Sequence, residues 1–393
     1  MDKFSFDTVA VQGGQELRKS LTRPHVPAIE QTAAYVFERL GDVDEVLEGR
    51  QPGFMYTRYA GGNQTALEET VARLEGAEAG LAVASGTAAL LLAIVAAVPA
   101  GSEVLATRDL YGGTLLLLRR QLERLGYRHR LVDMGDPAAV ERQIGPTTRV
   151  LLAETISNPT MRVLDLERLG EVSRRHGLFF ICDNTFASPY HCRPLEHGAD
   201  AVIHSATKYL NGHGDVTAGL VLGRAALIAE ARKAAIDFGP TLDPFAAWLA
   251  LRGLRTLPLR MARQSASAQR LAAFLADHER VALVNYPGLP GNPDYGVASR
   301  LLVRGFGGML SFEPRGPAGA AARVINALRL VRFVPSLGDV WTTVSHPAKT
   351  SHRSMTPEER ADLGIGEELI RLSVGLEDPG DIEADLAQAL GRA

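Results

Sequence analysis

The run Ala201-Val202-Ile203-His204-Ser205-Ala206-Thr207-Lys208-Tyr209-Leu210 decides how the rest of this chain is read. A short apolar segment gives way to a lysine set among small hydroxyl residues, with Gly212, Gly214 and Gly219 close behind. Short apolar runs bounded by turn residues read as buried strands. Working outward, similar runs at 81–84, 104–106, 130–132, 150–153, 178–182 and 220–222 predict further strands. Between them lie helical periodicities at 65–75, 88–98, 115–125, 137–144 and 164–176. The first places Leu67, Val71 and Leu74 on one face, and Gly126 ends the third. Strand alternating with helix predicts an α/β fold with a mostly parallel sheet covered on both faces.

The pattern changes after about residue 225. Long helices run to about 279, followed by a strand at 305–312, a helix at 318–327, a strand at 369–374 and a closing helix at 379–390. This predicts a smaller α+β domain at the C-terminus. Residues 1–60 are polar and irregular and end on turn signals at Pro52-Gly53 and Gly61-Gly62. The expected division is an extended arm over 1–60, a main domain over 61–259 and a C-terminal domain over 260–393.

At 393 residues the chain is too long for one small core. Its 46% hydrophobic and 22% charged content is that of a globular protein. A net charge of −3 with no basic block argues against nucleic acid and anionic membrane partners. The start, Met1-Asp2-Lys3-Phe4-Ser5-Phe6-Asp7, has no apolar signal core, and a cytoplasmic location is expected. The uncharged stretch 79–102 is long enough to mimic a membrane helix, but Ser85-Gly86-Thr87 breaks it into strand, turn and helix. Cys182 and Cys192 have no metal-type spacing, and no metal site is expected.

Polar residues cluster where the predicted strands end, which is where parallel sheets bind ligands. Lys208 and its flanking hydroxyls suit a ligand with both an aldehyde and a phosphate, such as pyridoxal phosphate. A surface lysine in a glycine-rich turn fits the stretch 204–210 equally well. Asp183 closes the 178–182 run, as a turn residue or as the partner of a protonated ring nitrogen. Ser85-Gly86-Thr87 is a simple helix cap or a phosphate cradle. Tyr111-Gly112-Gly113 offers a ring that could stack on a flat cofactor. Asn158-Pro159 is a turn or a contact to a cofactor hydroxyl. Arg371 interrupts Leu369-Ile370 and Leu372-Ser373-Val374, as an inter-domain ion pair or a carboxylate clamp. No Walker-type loop, dinucleotide fingerprint, zincin histidine pair or nucleophile elbow is present.

Taken together, Tyr56-Thr57-Arg58, Tyr111-Gly112-Gly113, Ser157-Asn158-Pro159, Asp183-Asn184-Thr185, Ser205-Ala206-Thr207-Lys208 and the segment from Arg371 to Asp378 resemble the pyridoxal-phosphate (PLP) enzymes of cysteine and methionine metabolism. The resemblance spans nearly the whole chain. It implies the aspartate-aminotransferase-like fold, fold type I, with pyridoxal 5'-phosphate as cofactor and a small amino acid as substrate. It implies that Lys208 holds the cofactor and shuttles protons, that Asp183 pairs with the ring nitrogen and that Tyr111 stacks on the ring. Gly86, Thr87, Ser205 and Thr207 become phosphate ligands. Tyr56 and Arg58 become ligands to the phosphate of a neighbouring subunit, in a homotetramer built as a dimer of dimers. Arg371, Ser336 and Asn158 become the seat of the substrate carboxylate. Freed Lys208 then moves the α-proton, and Tyr111 is a candidate acid for the departing γ-substituent.

Within the family the details pull two ways. Ser336-Leu337-Gly338-Asp339 resembles the methionine γ-lyases, whereas sulfhydrylases more often carry Asn at the Ser336 position. Pro335 stands where cystathionine enzymes usually have Glu, and Gly113 replaces a cysteine typical of methionine γ-lyases. Trp341 and the run Thr342-Thr343-Val344-Ser345-His346-Pro347 lean toward sulfhydrylases. The expectation is γ-elimination on methionine or cystathionine, with γ-replacement on an O-acylhomoserine as the alternative. A cofactor-binding scaffold without turnover is the reading from another class.

Overall fold

The computed structural model describes residues 4–14 and 24–393. Seven strands form the larger sheet: β1 (Ala79–Val83), β2 (Glu103–Thr107), β3 (Arg128–Val132), β4 (Thr148–Glu154), β5 (Phe179–Asp183), β6 (Ala201–Ser205) and β7 (Gly219–Gly223). Their order is β1-β7-β6-β5-β4-β2-β3. β3, β2, β4, β5 and β6 pair in parallel, and only β7 runs against its neighbours β6 and β1. The mostly parallel α/β reading holds.

Strand periodicity explains why both faces are covered. Leu105, Leu151, Phe180 and Val202 pack into one buried core. Their chain neighbours Val104, Val150, Ile181 and Ile203 pack into another. Successive side chains on a strand point to opposite faces, so an unbroken apolar run must be buried on both. Helices Gly62–Glu75, Leu166–His176, Pro244–Leu254 and Leu257–Ala276 send side chains into the first core. Helices Gly86–Ala97 and Ala225–Phe238 send theirs into the second.

The second sheet contains β8 (Val281–Asn285), β9 (Met309–Pro314), β10 (Arg332–Phe333), β11 (Thr343–Ser345) and β12 (Ile370–Ser373), in the order β10-β11-β12-β9-β8. Its own core joins Leu310, Phe312 and Leu372 to Leu271, Val324 and Leu386 from three helices. The 20-residue helix Leu257–Ala276 contributes Leu257 and Met261 to the first core and Ala268, Leu271, Ala272 and Leu275 to this one.

Several local expectations are corrected. The helix expected over 115–125 starts earlier, as Gly112–Leu117, and widens into a π turn at Leu118–Leu122. The strand expected over 305–312 begins only at Met309, because Gly305 and Gly307 adopt φ of +110° and +85°, outside strand geometry. β8, β10 and β11 carry too little periodicity to be read: β10 is two residues long and β11 three. The segment before residue 60 is not wholly irregular. Phe6–Gln12 forms a helix that buries Phe6 and Ala10, and Leu40–Leu47 forms another that buries nothing. The parts of the expected arm at 1–3 and 15–23 lie outside the described residues. Among the described residues no helix is long and apolar enough to cross a membrane. The 79–102 stretch is β1, a turn and the helix Gly86–Ala97.

One buried cation ties the lysine-bearing turn to this frame. Arg260, 2% exposed, donates to the carbonyls of Tyr209 at 2.7 Å, Leu210 at 3.2 Å and Gly253 at 2.9 Å. Arg260→Met keeps most of the volume but leaves these carbonyls without their donor. It is expected to lower stability by about 3 kcal/mol, measurable by urea unfolding.

Candidate active site

The carboxyl ends of β1, β4, β5 and β6 open on one cavity of about 640 Å³. Each end carries a polar residue because the strand has finished its buried run. β1 ends at Val83, and Ser85 caps the helix Gly86–Ala97 by accepting from the Ala88 N–H at 3.2 Å. The N-terminus of that helix, with Gly86 and Thr87, faces the cavity, a favourable seat for an anion. A Cβ on Gly86 would lie 2.8 Å from Ser205 Cβ, so glycine alone lets this turn approach the end of β6. Gly219 does the same from below: a Cβ there would meet Ser85 O at 2.1 Å. The Thr207 hydroxyl lies in the cavity wall but also donates to Ala218 O at 3.3 Å.

Lys208 lines the same cavity and donates through Nζ to Ser336 Oγ at 2.9 Å. Burial, helped by the Arg371 charge, lowers its pKa to about 8. Arg371, 4% exposed in β12, donates to Asn158 Oδ1 at 2.8 Å and to Ser336 O at 3.0 Å. Among the described residues its buried Nε has no hydrogen-bond partner. Burial lowers its pKa to about 10, so it remains a cation at neutral pH. Among the described residues no carboxylate pairs with it.

Asp183 ends β5, and its carboxylate accepts from the Thr185 N–H at 2.9 Å. Glu154 ends β4 in register with it. Glu154 accepts from the Tyr111 N–H at 2.7 Å. Burial and then the charge on Asp183 push the Glu154 carboxyl well up. Two carboxyls this close in a low-dielectric site do not both ionise readily, and Glu154 is the one pushed further toward its protonated form. Burial also raises Asp183, against its bonds to Thr185. A cation placed at the mouth of β5 would therefore find a carboxylate that lacks a full counter-charge. Tyr111 precedes helix Gly112–Leu117 with its ring in the cavity wall. A Cβ on Gly113 would meet that ring at 2.5 Å, so a cysteine there would have to displace it.

The structure thus gathers Gly86, Thr87, Tyr111, Asn158, Asp183, Ser205, Thr207, Lys208, Ser336 and Arg371 around one cavity. Tyr56 and Arg58 lie elsewhere. They line a separate open cleft with Gln31 and Asp243, and Arg58 donates to Ile236 O at 2.6 Å. Glu154 and Thr185 also line the cavity, beyond the residues expected from the sequence. Glu154 closes an apolar strand just as Asp183 does, so the same signal marks it.

An aldehyde-reactive amine, an acid at a strand end and an open helix N-terminus around one cavity fit PLP. The unpaired Arg371 Nε fits a carboxylate beside it. A PLP-dependent enzyme of fold type I is the class that this sheet and cavity define. Residues 7–391 match the family of Cys/Met metabolism PLP-dependent enzymes, and the chain belongs to it. An L-methionine gamma-lyase of Pseudomonas putida is 44% identical, covering 93% of this chain and 92% of that protein. An O-succinylhomoserine sulfhydrylase of Pseudomonas aeruginosa is 41% identical, covering 98% and 95%. A crystal structure described as an O-acetylhomoserine (thiol)-lyase of Campylobacter jejuni, with pyridoxyl-lysine monophosphate, has a TM-score of 0.93, 30% identity and coverage of 99% and 100%.

The lowered Lys208 pKa has a direct consequence. Only the neutral amine attacks the cofactor aldehyde. Cofactor uptake by stripped protein should therefore rise with pH through about 8 and level off above it. Continued rise toward an ordinary lysine's 10.5 would contradict the buried environment. Stopped-flow absorbance across a pH series reads this directly.

Proposed function

We propose that the protein cleaves the bond between Cγ and the γ-substituent of an L-amino acid, in the first instance by elimination from methionine or cystathionine. The observation that carries this reading is the double role of Ser336. Its hydroxyl meets the Lys208 amine and its carbonyl meets the Arg371 guanidinium. In an α-amino acid the amine and carboxylate are one carbon apart. Lys208 and Arg371 both touch Ser336, which supports an amine and a carboxylate on one carbon reaching the two together; the γ-lyase relative supports the bond that is cleaved.

Arg371, with Asn158 and Ser336, would hold the carboxylate by charge-assisted hydrogen bonds. PLP, held by Lys208, would supply the sink for negative charge developing at Cα. Asp183 would keep its ring nitrogen protonated, and Tyr111 would stack on the ring. Gly86, Thr87, Ser205 and Thr207 would cradle the phosphate. A pKa of about 8 lets Lys208 take the α-proton near neutral pH and return it elsewhere. Tyr111 would give a proton to the departing sulfur. The balance for methionine is water in, and methanethiol, ammonia and 2-oxobutyrate out.

The sulfhydrylase relative supports a second reading, in which a thiol replaces the acyl group of an O-acylhomoserine. We read 61–259 as the cofactor domain and 260–393 as the C-terminal domain, supported by the separate core of the second sheet. The 1–60 arm, with Tyr56 and Arg58, would reach a neighbouring subunit's phosphate in a dimer, two dimers making a tetramer. Val36 and Leu40, 94% and 89% exposed, support burial of the arm in such an assembly. Free, buried Cys182 and Cys192 fit a reducing cytoplasm.

The test is a product assay with L-methionine, L-cystathionine and O-acetyl- and O-succinyl-L-homoserine, each with and without a thiol. Fast 2-oxobutyrate formation without thiol is the expected result. Thioether formation from an acylated homoserine, with negligible 2-oxobutyrate from methionine or cystathionine, would shift the assignment to replacement. Lys208→Ala should lose turnover by more than about a thousandfold, and Asp183→Asn should retain bound cofactor yet lose most of kcat.

A further inference from the structure

The cavity holds more positive charge than the cofactor and an α-carboxylate require. Besides Lys208 and Arg371, its wall includes Lys349 and Arg353. Both side chains are exposed at the mouth. Among the described residues neither makes an ion pair or a side-chain hydrogen bond. The carboxyls in the cavity wall are Glu154 and Asp183, at the strand ends, each accepting a backbone N–H.

The two cations are carried on a braced turn. Lys349 N–H donates to His346 O at 2.9 Å, and the Thr350 hydroxyl donates to the same carbonyl at 2.8 Å. His352 N–H returns to Pro347 O at 2.9 Å, with its side chain fully buried. The turn sits against the helix that follows Tyr111 so closely that a Cβ on Gly112 would meet Ser351 O at 2.0 Å. The phosphate cradle is built from other parts, the ends of β1 and β6 and the start of helix Gly86–Ala97.

We propose that Lys349 and Arg353 form a second anion subsite, which selects substrates whose γ-substituent itself ends in a carboxylate. The inference rests on the reading of Arg371 as the α-carboxylate seat. With one carboxylate on Arg371 and the phosphate in its cradle, a third anion is the group that would meet the charges at the mouth. A dicarboxylic acyl ester of homoserine supplies it, as does the distal carboxylate of cystathionine. The methyl group of methionine and the acetyl group of O-acetylhomoserine do not. Complementary charge at a solvated mouth acts through binding and encounter, so the effect falls on KM and weakens with salt.

The test compares the wild-type holoenzyme with the Lys349→Ser/Arg353→Ser double variant. O-succinyl-L-homoserine and L-cystathionine form the charged pair, and O-acetyl-L-homoserine and L-methionine the uncharged pair. The double variant should lose about tenfold or more in kcat/KM, through KM, on at least one charged substrate. The uncharged pair should stay within about twofold, as expected for two exposed substitutions that leave the fold intact. Whichever charged substrate suffers more identifies the source of the carboxylate. Equal losses on all four, or no loss on the charged pair, would overturn the subsite. If none of the four is turned over, the γ-cleavage reading fails by itself. The subsite is then judged by calorimetric binding of an unreactive dicarboxylic L-amino acid against its monocarboxylic counterpart. A preference of about tenfold that vanishes in the double variant sustains it, and no preference overturns it.

Discussion

Arg371 is a guanidinium buried to 4% exposure with no carboxylate partner among the described residues. Burying such a charge costs several kcal/mol, on the order of what real proteins tolerate after relaxation. Two neutral oxygens, Asn158 Oδ1 and Ser336 O, offset part of it, and among the described residues Nε has no hydrogen-bond partner. The arrangement is stable enough to form because β12 is the middle strand of the second sheet, with Ile370 and Leu372 fully buried beside it. In the function proposed above, a substrate carboxylate would complete what the fold leaves unpaired. The rest of the cavity is arranged around that incomplete charge, including the lowered pKa of Lys208, which Arg371 helps to depress.

A second constraint acts from the other wall. β4 and β5 end in register on Glu154 and Asp183, so the larger sheet delivers two carboxyls side by side. Their mutual repulsion in a buried place divides their roles. Glu154, pushed toward its protonated form, braces the turn that carries Tyr111, while Asp183 accepts from the Thr185 N–H. The buried acid and the buried cation thus come from different sheets, Asp183 from β5 of the larger and Arg371 from β12 of the second. The two sheets share the helix Leu257–Ala276, whose Arg260 also clamps the residues just after Lys208. Rigid delivery of few groups from well-packed elements is what catalytic positioning requires.

Much of this was legible from local pattern. The inner strands of the larger sheet were visible because burial on both faces forces unbroken apolar runs, as in Val150-Leu151-Leu152-Ala153. The polar residues at or just after the end of each run mark its site end: Asp183, Glu154, the Gly86 turn and, three residues past β6, Lys208. The short strands β10 and β11 left no periodic trace, and Gly305 and Gly307 hid where β9 begins. The early helices were missed because Phe6–Gln12 is short and Leu40–Leu47 buries nothing.

The sequence by itself determined the α/β class, the residues that end each long strand and the family, because these depend on period-two burial and on short contiguous motifs. Only the tertiary structure decided which of those residues meet. Ser336 reaches Lys208 across 128 positions, and Arg371 reaches Asn158 across 213. No local rule links residues so far apart. They come together because one sheet packs beside the carboxyl edge of the other. The same packing brings Lys349 and Arg353, unremarkable in the chain, to the mouth of the cavity. Chemistry was therefore legible in residue types, whereas the shape and charge of the cavity arose from long-range packing.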